Sequence, residues 1–552
     1  MRKSVLVALL AGMLALSGCA QIPTDSAVQV GSDIHSTVTS DYTYYSPNGP
    51  SVGDGQSEIL NGFINAFTGP QDDYLVAREF LTAKLASAWS PNKNLYVENA
   101  RPVISYQGTA AATVEVQAAA SLDEQGRYTS FAAPETHKLK FEFAKENGQW
   151  RIASAPNATI LVRPVFDVLF KSYNLYFYDQ QMRYLIPDLR WFPTRPSTGT
   201  RLVSALLAGP SAWLSKVAYS SFPNGTKLAL ESVPITDGTA VVDLNAAAAK
   251  ATTDQLQHML AQLNATLTQV TSVYGTVIRI VHVPQSISEL PYRLALSTNT
   301  IPYELGEGSL GNLSGANSVA AASSQARALL ATDFAVNNEN TLVAYLSASG
   351  VSVVKNYKGS TAPTLVDNRP NLLRPAIDPQ GYTFSLGSSK GSVLRAFDRT
   401  GRQIFVFGGW LAQAEHVSFA ISKEGSRLAV VLRNGADTRA YVAAIIRDYQ
   451  GVPIGIADPL LISSAKIVGN GIGWVGEDSV GFVAAVEGLV TTPMIVTIGG
   501  DTKTLSSVPG AVEFVASGTD SSQLVLDSHG SVLELRGFSW QLVKTGVKQL
   551  HF

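Results

Sequence analysis

The sequence predicts a multidomain chain in which mixed α+β regions precede an all-β C-terminal half. Three observations carry this. With 552 residues, 45% of them apolar and only 15% charged, the chain has material for several hydrophobic cores, about three or four domains. Roughly the first half mixes stretches of helical period with stretches that alternate strictly between polar and apolar. In the second half, short apolar strands and polar turns recur at ~42–53-residue spacing, close to the size of one four-stranded propeller blade.

The chain opens on Arg2 and Lys3, then an apolar run from Val5 to Leu16 broken only by Gly12. This reads as a bacterial secretion signal, too short to span a bilayer as a mature helix. It ends on Leu16-Ser17-Gly18-Cys19, which resembles the lipobox of bacterial lipoproteins, in which the cysteine is joined to diacylglycerol and becomes the mature N-terminus. The resemblance makes residues 1–18 a lipoprotein signal peptide and Cys19 the lipidation site. Because Cys19 is the only cysteine, disulfides within the chain, cysteine-based metal sites and a downstream thiol nucleophile are excluded together. No later stretch approaches the ~20 apolar residues of a membrane span, so the lipid is the expected membrane attachment, stable because it carries more than one acyl chain. A formal net charge of -2 gives no electrostatic footprint for nucleic acid.

Residues 19–54 are rich in Ser, Thr, Gly, Asp and Pro, as in Ser46-Pro47-Asn48-Gly49-Pro50-Ser51, and read as a flexible tether. As a coil of ~35 residues it would hold the first domain on average roughly 30 Å from the lipid. The first folded unit is expected over residues 55–163. Ile59, Phe63, Ile64 and Phe67, then Tyr74, Ala77, Phe80, Leu81, Leu85 and Ala88, recur at helical spacing and predict two amphipathic helices. Thr113–Gln117 and Lys138–Phe143 alternate as half-buried antiparallel strands, and Asn147-Gly148 is a hairpin turn into Trp150-Arg151-Ile152. Helices followed by a curved sheet resemble a cone-shaped α+β domain of the cystatin-like or nuclear-transport-factor-like type. Such a cone can hold a ligand or serve as a structural or partner-binding element.

A second unit is expected over residues 166–284. It opens on a strand at Asn174–Asp179, followed by Tyr184–Arg190 and a helix, Leu202–Leu207, closed by Ala208-Gly209-Pro210. Phe222-Pro223-Asn224-Gly225-Thr226 makes a turn, and Asp237-Gly238 turns a hairpin into Ala240-Val241-Val242-Asp243-Leu244. A helix begins near Thr253 with Leu256, Met259, Leu260, Leu263 and Leu267 on one face, and Thr276–Val281 forms a last strand. This order and these motifs resemble the GerMN α+β domain, named for spore germination and sporulation proteins.

Residues 290–552 are expected to form a β-propeller-like domain. Phe334–Leu346, Ala376–Leu386, Phe419–Leu432, Ile472–Val483 and Phe514–Leu526 each combine a polar turn with apolar or aromatic strand residues. Asp378-Pro379-Gln380-Gly381-Tyr382 and Ser422-Lys423-Glu424-Gly425-Ser426 are the clearest forms, and they resemble the Ser-Pro-Asp-Gly type of propeller motif. Trp540–Val543 suits a last strand that closes the ring and removes exposed edges.

No residue set for catalysis stands out. The Gly387-Ser388-Ser389-Lys390-Gly391 string has the form of a nucleophile elbow, but an elbow leads from strand to helix, whereas Ser392–Phe397 reads as the return strand of a hairpin. The seven histidines are scattered, at positions 35, 137, 258, 282, 416, 529 and 551, without metal-ligand spacing. The two Gly-x-Gly-x-x-Gly strings, at Gly306 and Gly471, lack the following helix that would hold a pyrophosphate. The expectation is therefore no enzyme, no metal and no cofactor. Trp191, Phe192, Trp213, Trp410 and Trp474 are large enough to anchor an interface, with core packing the better expectation for each.

A lipobox, an α+β domain, a GerMN-like domain and a propeller-like half, in that order, resemble the actinobacterial LpqB lipoprotein family. The resemblance implies an extracytoplasmic, lipid-anchored accessory regulator that acts by contact on the extracellular domain of a sensor histidine kinase of the Mtr two-component system. The alternatives are a receptor for a cell-wall or sugar fragment, using the cone or the propeller mouth, and a wall-active hydrolase with paired carboxylates.

Overall fold

The structure, a computed structural model, describes residues 46–288, 302–306, 308–315, 319–356, 362–486, 490–516 and 523–551. Cys19, the signal peptide and the tether as far as residue 45 lie outside the described residues. Residues 46–54, expected as the end of the tether, lie on the first domain: the Gly53 backbone N–H donates to Gln149 Oε1 at 2.8 Å. Among the described residues no helix is long and apolar enough to cross a membrane.

The N-terminal region packs helices α1 (Gln56–Asn65), α2 (Leu75–Glu79) and α3 (Ala83–Ala88) against one sheet. Its strands are β1 (Asn94–Glu98), β2 (Val103–Gln107), β3 (Ala111–Asp123), β4 (Tyr128–Glu146), β5 (Gln149–Ser154) and β6 (Thr159–Val162), in the order β5-β4-β3-β1-β6, with β2 also paired to β3. Ala112, Val114, Val116 and Ala118 of β3 are buried, as the polar/apolar alternation requires. Asn147 and Gly148 carry the positive φ values, 52° and 76°, of a two-residue hairpin turn.

The single helix expected from Tyr74 to Ala88 is broken. Asp72, Asp73 and Tyr74 have φ of 46°, 55° and 61°, which delays the start. The chain then leaves the helix to pair with the sheet: Thr82 N–H donates to Ile152 O and Ile152 N–H to Phe80 O, both at 2.9 Å. Thr82 caps the new helix α3. Between helices and sheet, Phe63 sits edge-on to Phe67, with ring centroids 4.8 Å apart, and 5.1 Å from Trp89. These rings, with Tyr74 and Phe141, belong to the buried core of this region.

After α4 (Arg163–Leu169), the middle region forms the hairpin β7 (Phe170–Tyr178) and β8 (Leu185–Pro193), paired in unbroken register. Helix α5 (Thr198–Ala208) ends on Gly209 at φ 98°. Strands β9 (Ile235–Thr236) and β10 (Thr239–Leu244) flank the Asp237-Gly238 turn; helix α6 (Thr253–Leu267) then crosses to β11 (Gly275–Ile280), parallel to β10, and β12 (Val283–Pro284) forms the edge. A capping box of Thr252 and Gln255 starts α6, and its Met259, Leu260, Leu263 and Leu267 are buried. The two conspicuous motifs of this region touch: Asn245 Nδ2 donates to Gly225 O at 3.0 Å, and Lys227 N–H donates to Asn245 Oδ1 at 3.2 Å.

The C-terminal region begins with the short hairpin β13 (Tyr303–Leu305) and β14 (Leu310–Asn312) and helix α7 (Ala320–Ala328). Five antiparallel sheets follow. Blade I is β15 to β18 (Asp333–Val336, Leu342–Ser347, Gly350–Lys355, Thr364–Asp367), and blade II is β19 to β22 (Ala376–Ile377, Thr383–Ser385, Leu394–Phe397, Gln403–Val406). Blade III is β23 to β27 (Glu415–Ile421, Arg427–Asn434, Asp437–Arg447, Pro453–Ile456, Leu460–Ser463). Blade IV is β28 to β31 (Ile467–Val475, Ser479–Val486, Val490–Thr497, Thr502–Thr504), and blade V is β32 to β35 (Ala511–Ala516, Gln523–Asp527, Val532–Arg536, Ser539–Lys544). The last strand, β36 (Gln549–His551), pairs antiparallel with β13 and completes a sixth, three-stranded blade.

The five repeats expected from sequence are the first two strands of blades I to V. Ring closure differs from the expectation: Trp540–Val543 belongs to the outer strand of blade V, and Gln549–His551 lies inside, between the inner strands of blades V and I. The outermost strand of a blade is a half-exposed edge, so its apolar content does not mark closure.

At the end of β1 a register shift places Val97 and Glu98 consecutively in the interior. Burial lifts the Glu98 carboxyl from 4.5 to about 7. Folding therefore takes up a proton between these values, and stability falls as pH rises through that window, by roughly 3 kcal/mol. Glu98→Gln is expected to be more stable than the parent at pH 8, with the gap closing toward pH 5. Urea unfolding at both pH values measures this, and an equal gap at the two would show that Glu98 is not the source.

Candidate functional site

The six inner strands β15, β19, β23, β28, β32 and β36 surround an axial channel of about 380 Å³. Each of blades I to V starts at the axis and turns outward, so their inner strands run in one direction and their first turns share one face. Side-chain bonds between successive turns show this: Arg447 of blade III reaches Asp378 Oδ2 of blade II (2.6 Å) and Gly425 O (2.7 Å), and Arg427 of blade III reaches Glu477 O of blade IV (2.6 Å).

At the channel's opposite end sits Arg374, just ahead of β19. Its Nε donates to Asp333 Oδ1 of blade I at 2.6 Å, Nη1 and Nη2 bond Glu513 of blade V, and Nη2 donates to Gln549 Oε1 of the closing strand at 2.8 Å. Burial works against the Arg374 charge, but the two carboxylates outweigh it and hold the guanidinium above its ordinary value. The neighbouring His551 ring is pushed by burial, and then by Arg374 and Lys423, down to about 3, so it is neutral at physiological pH. At the first-turn end Lys423 lines the channel, and burial lowers its ammonium to about 8. Ser418, on the inner strand β23 that leads into this turn, is buried with an Oγ that has no hydrogen-bond partner.

The first-turn face also carries the rest of the chain. In the β30–β31 turn of blade IV, Asp501 accepts from Tyr128 Oη (3.0 Å) and Arg163 Nη1 (2.9 Å) of the N-terminal region, and Gly499 O accepts from Trp191 Nε1 (2.9 Å) of the middle region. In the β28–β29 turn, Glu477 accepts from Tyr176 Oη at 2.8 Å and Asp478 from Asn174 Nδ2 at 3.0 Å. Buried Asp188 takes Ser211 and Arg190, and Arg190 goes on to Gln125 O at 2.9 Å, tying the middle region to the N-terminal one. A second cavity of about 500 Å³ lies at this three-way junction, lined among others by Tyr128, Asp188, Trp213, Arg427 and Gly499.

Comparison with known proteins follows the same three regions. Residues 49–167 match the family described as the N-terminal domain of lipoprotein LpqB, residues 174–280 one described as sporulation and spore germination, and residues 308–550 the LpqB beta-propeller domain. The chain belongs to the LpqB lipoprotein family. A Lipoprotein LpqB of Cutibacterium acnes is 22% identical over 99% of this chain and 98% of its own length. One of Bifidobacterium longum is 26% identical over 77% of this chain and 75% of its own. One of Thermobifida fusca is 29% identical over 48% of this chain, a match spanning 44% of that relative's length.

Of the residues singled out from this LpqB-family sequence, Cys19 lies outside the described residues. The Gly387–Gly391 string is the turn between β20 and β21, so Ser389 sits on a hairpin rather than a strand-to-helix elbow. Gly471 lies inside strand β28. The histidines are dispersed: His416 Nδ1 and Nε2 lie 2.8 and 2.7 Å from Gly387 O and Leu411 O, His282 Nδ1 lies 2.5 Å from Asp243 Oδ2, and His258 Nδ1 lies 2.7 Å from Asp254 O. Phe192 and Trp474 are core residues, whereas half-buried Trp191 and Trp213 pack between regions of the chain. Sequence reasoning missed Arg374, Ser418, Asp501 and the channel position of Lys423; the Ser422–Ser426 turn marked the last of these only as a turn.

Arg374→Met removes the counter-charge of two buried carboxylates and should cost about 3–5 kcal/mol in urea unfolding. Adding Asp333→Asn and Glu513→Gln should recover part of the loss. A cost under about 1 kcal/mol, the range of exposed pairs, would show that the cluster is solvated.

Proposed function

We propose that this chain is a non-enzymatic, membrane-tethered binding protein that acts by contact on the extracytoplasmic domain of a sensor histidine kinase. The observation that supports it best is the joint on the first-turn face, where Asp501, Gly499, Glu477 and Asp478 of one blade engage both other regions. Such a joint orders three regions into a single presenting body, as contact signalling needs. Relatives named as lipoproteins support acylation of Cys19 and a place on the outer face of the membrane. A lipid confines the body to the plane in which a sensor's outer domain stands, so a weak contact gains effective concentration without new interface energy. Binding one state of the sensor better than another then shifts the kinase equilibrium by that difference alone.

In-cell crosslinking of the full chain is expected to recover a kinase outer domain, and deletion of the gene to change kinase output. Cys19→Ala should move the protein out of the membrane fraction and lower the crosslink at least about tenfold. The same variant carried on an unrelated membrane anchor should regain it, which separates tethering from misfolding. Failure to recover any kinase, with unchanged output on deletion, rules the reading out.

A further inference from the structure

We propose that the axial channel of the propeller binds a small, elongated organic monoanion, with a terminal carboxylate held by the Lys423 ammonium and a polar body extending along the channel past Ser418. This is independent of the kinase reading. A volume of about 380 Å³ lies within the range of small-molecule sites. Charge decides the ligand class. Away from Lys423, Arg374 is paired with Asp333 and with Glu513, Arg433 is exposed, and His551 is neutral. Lys423 is left as the half-buried cation of the lining that has no ion-pair partner among the described residues. One cation balances a carboxylate; a phosphate dianion would carry an unmatched charge into a half-buried site.

The channel also has an unused polar contact. A register shift between His416 and Ser418 re-aims this part of β23, and the Ser418 hydroxyl is buried, lines the channel and is unpartnered. A buried hydroxyl without a partner is costly, so a ligand oxygen that reaches it gains a bond the apo protein lacks. Ser418 lies on β23 and Lys423 in the turn that follows it, so the two contacts sit at different depths along the axis, which is why the ligand must be elongated. Gly473 lines the neighbouring wall, on β28, and a Cβ built there meets nothing within 4 Å. Its φ is outside the left-handed region, so a larger side chain can be placed there without backbone strain.

Two isosteric pairs supply the test with the full mature chain: lactobionate against lactobionamide, and N-acetyl-trialanine against its C-terminal amide. The first asks for a sugar acid, the second for a peptide C-terminus, and titration calorimetry or ligand-observed NMR reads both. At least one acid should bind saturably and at least about tenfold more tightly than its neutral partner. Lys423→Gln should abolish that preference, and Gly473→Leu should abolish binding while leaving the unfolding transition in place. The proposal is overturned if neither acid saturates up to about 10 mM, if neutral partners bind equally well, if inorganic phosphate binds more tightly than both acids, or if neither substitution changes binding.

Discussion

One guanidinium holds the ring together. Arg374 of blade II reaches blade I through Asp333, blade V through Glu513 and the closing strand through Gln549. A propeller whose last blade is assembled from two distant segments has no covalent closure, and β36 contributes only three residues of pairing to β13. A buried charge satisfied by two carboxylates and an amide opposes opening, because separating the blades breaks several charge-assisted hydrogen bonds at once. The clamp sits at one end of the channel and joins three of the segments that wall it.

The face away from the clamp works by another principle. Its turns are short and polar, and repeated side-chain acceptors pin them: Asn337 takes the N–H groups of Thr341 and Leu342, Asp378 that of Tyr382, Ser422 that of Arg427 and Asp448 those of Gln450 and Val452. Turns so fixed can carry longer-range contacts. Arg427 pairs with Glu424 at 2.6 Å, lies 4.5 Å from the Trp474 ring centroid and still reaches the next blade. Where blades III and IV meet the middle region, the apolar side of the joint is thin: Ala444 and Ala457 join the middle core, and Trp213 packs on both sides. Small alanines let backbones approach, and polar groups then fix the orientation.

What could be read from the sequence was local. Phe334–Leu346 and its four counterparts stand out because a buried first hairpin must be apolar on both strands and must turn at a polar residue. The sixth blade escaped because its strands are three residues each and its closing pair joins residues 244 to 248 positions apart. The helix expected across Phe80–Thr82 failed because a sheet hydrogen bond to Ile152 outweighed a helical spacing that the side chains still satisfy. Arg374 was invisible for the same reason as the sixth blade: its partners lie 41, 139 and 175 positions away, and no periodicity links them. Glu98 is similar, since only the register shift beside it explains a carboxyl turned inward.

The closing strand also sets a timetable. A chain made N-terminus first can fold its N-terminal and middle regions and pair each of blades I to V as they arrive, because those contacts are local. Strands β13 and β14 arrive early and wait, with an open sheet edge, for Gln549–His551. Until then that edge is a template for another chain, and the clamp around Arg374 lacks one of its acceptors. The interval between emergence of β13 and arrival of β36 is thus the period in which aggregation competes with folding, and loss of a few residues after Lys544 would make that exposure permanent.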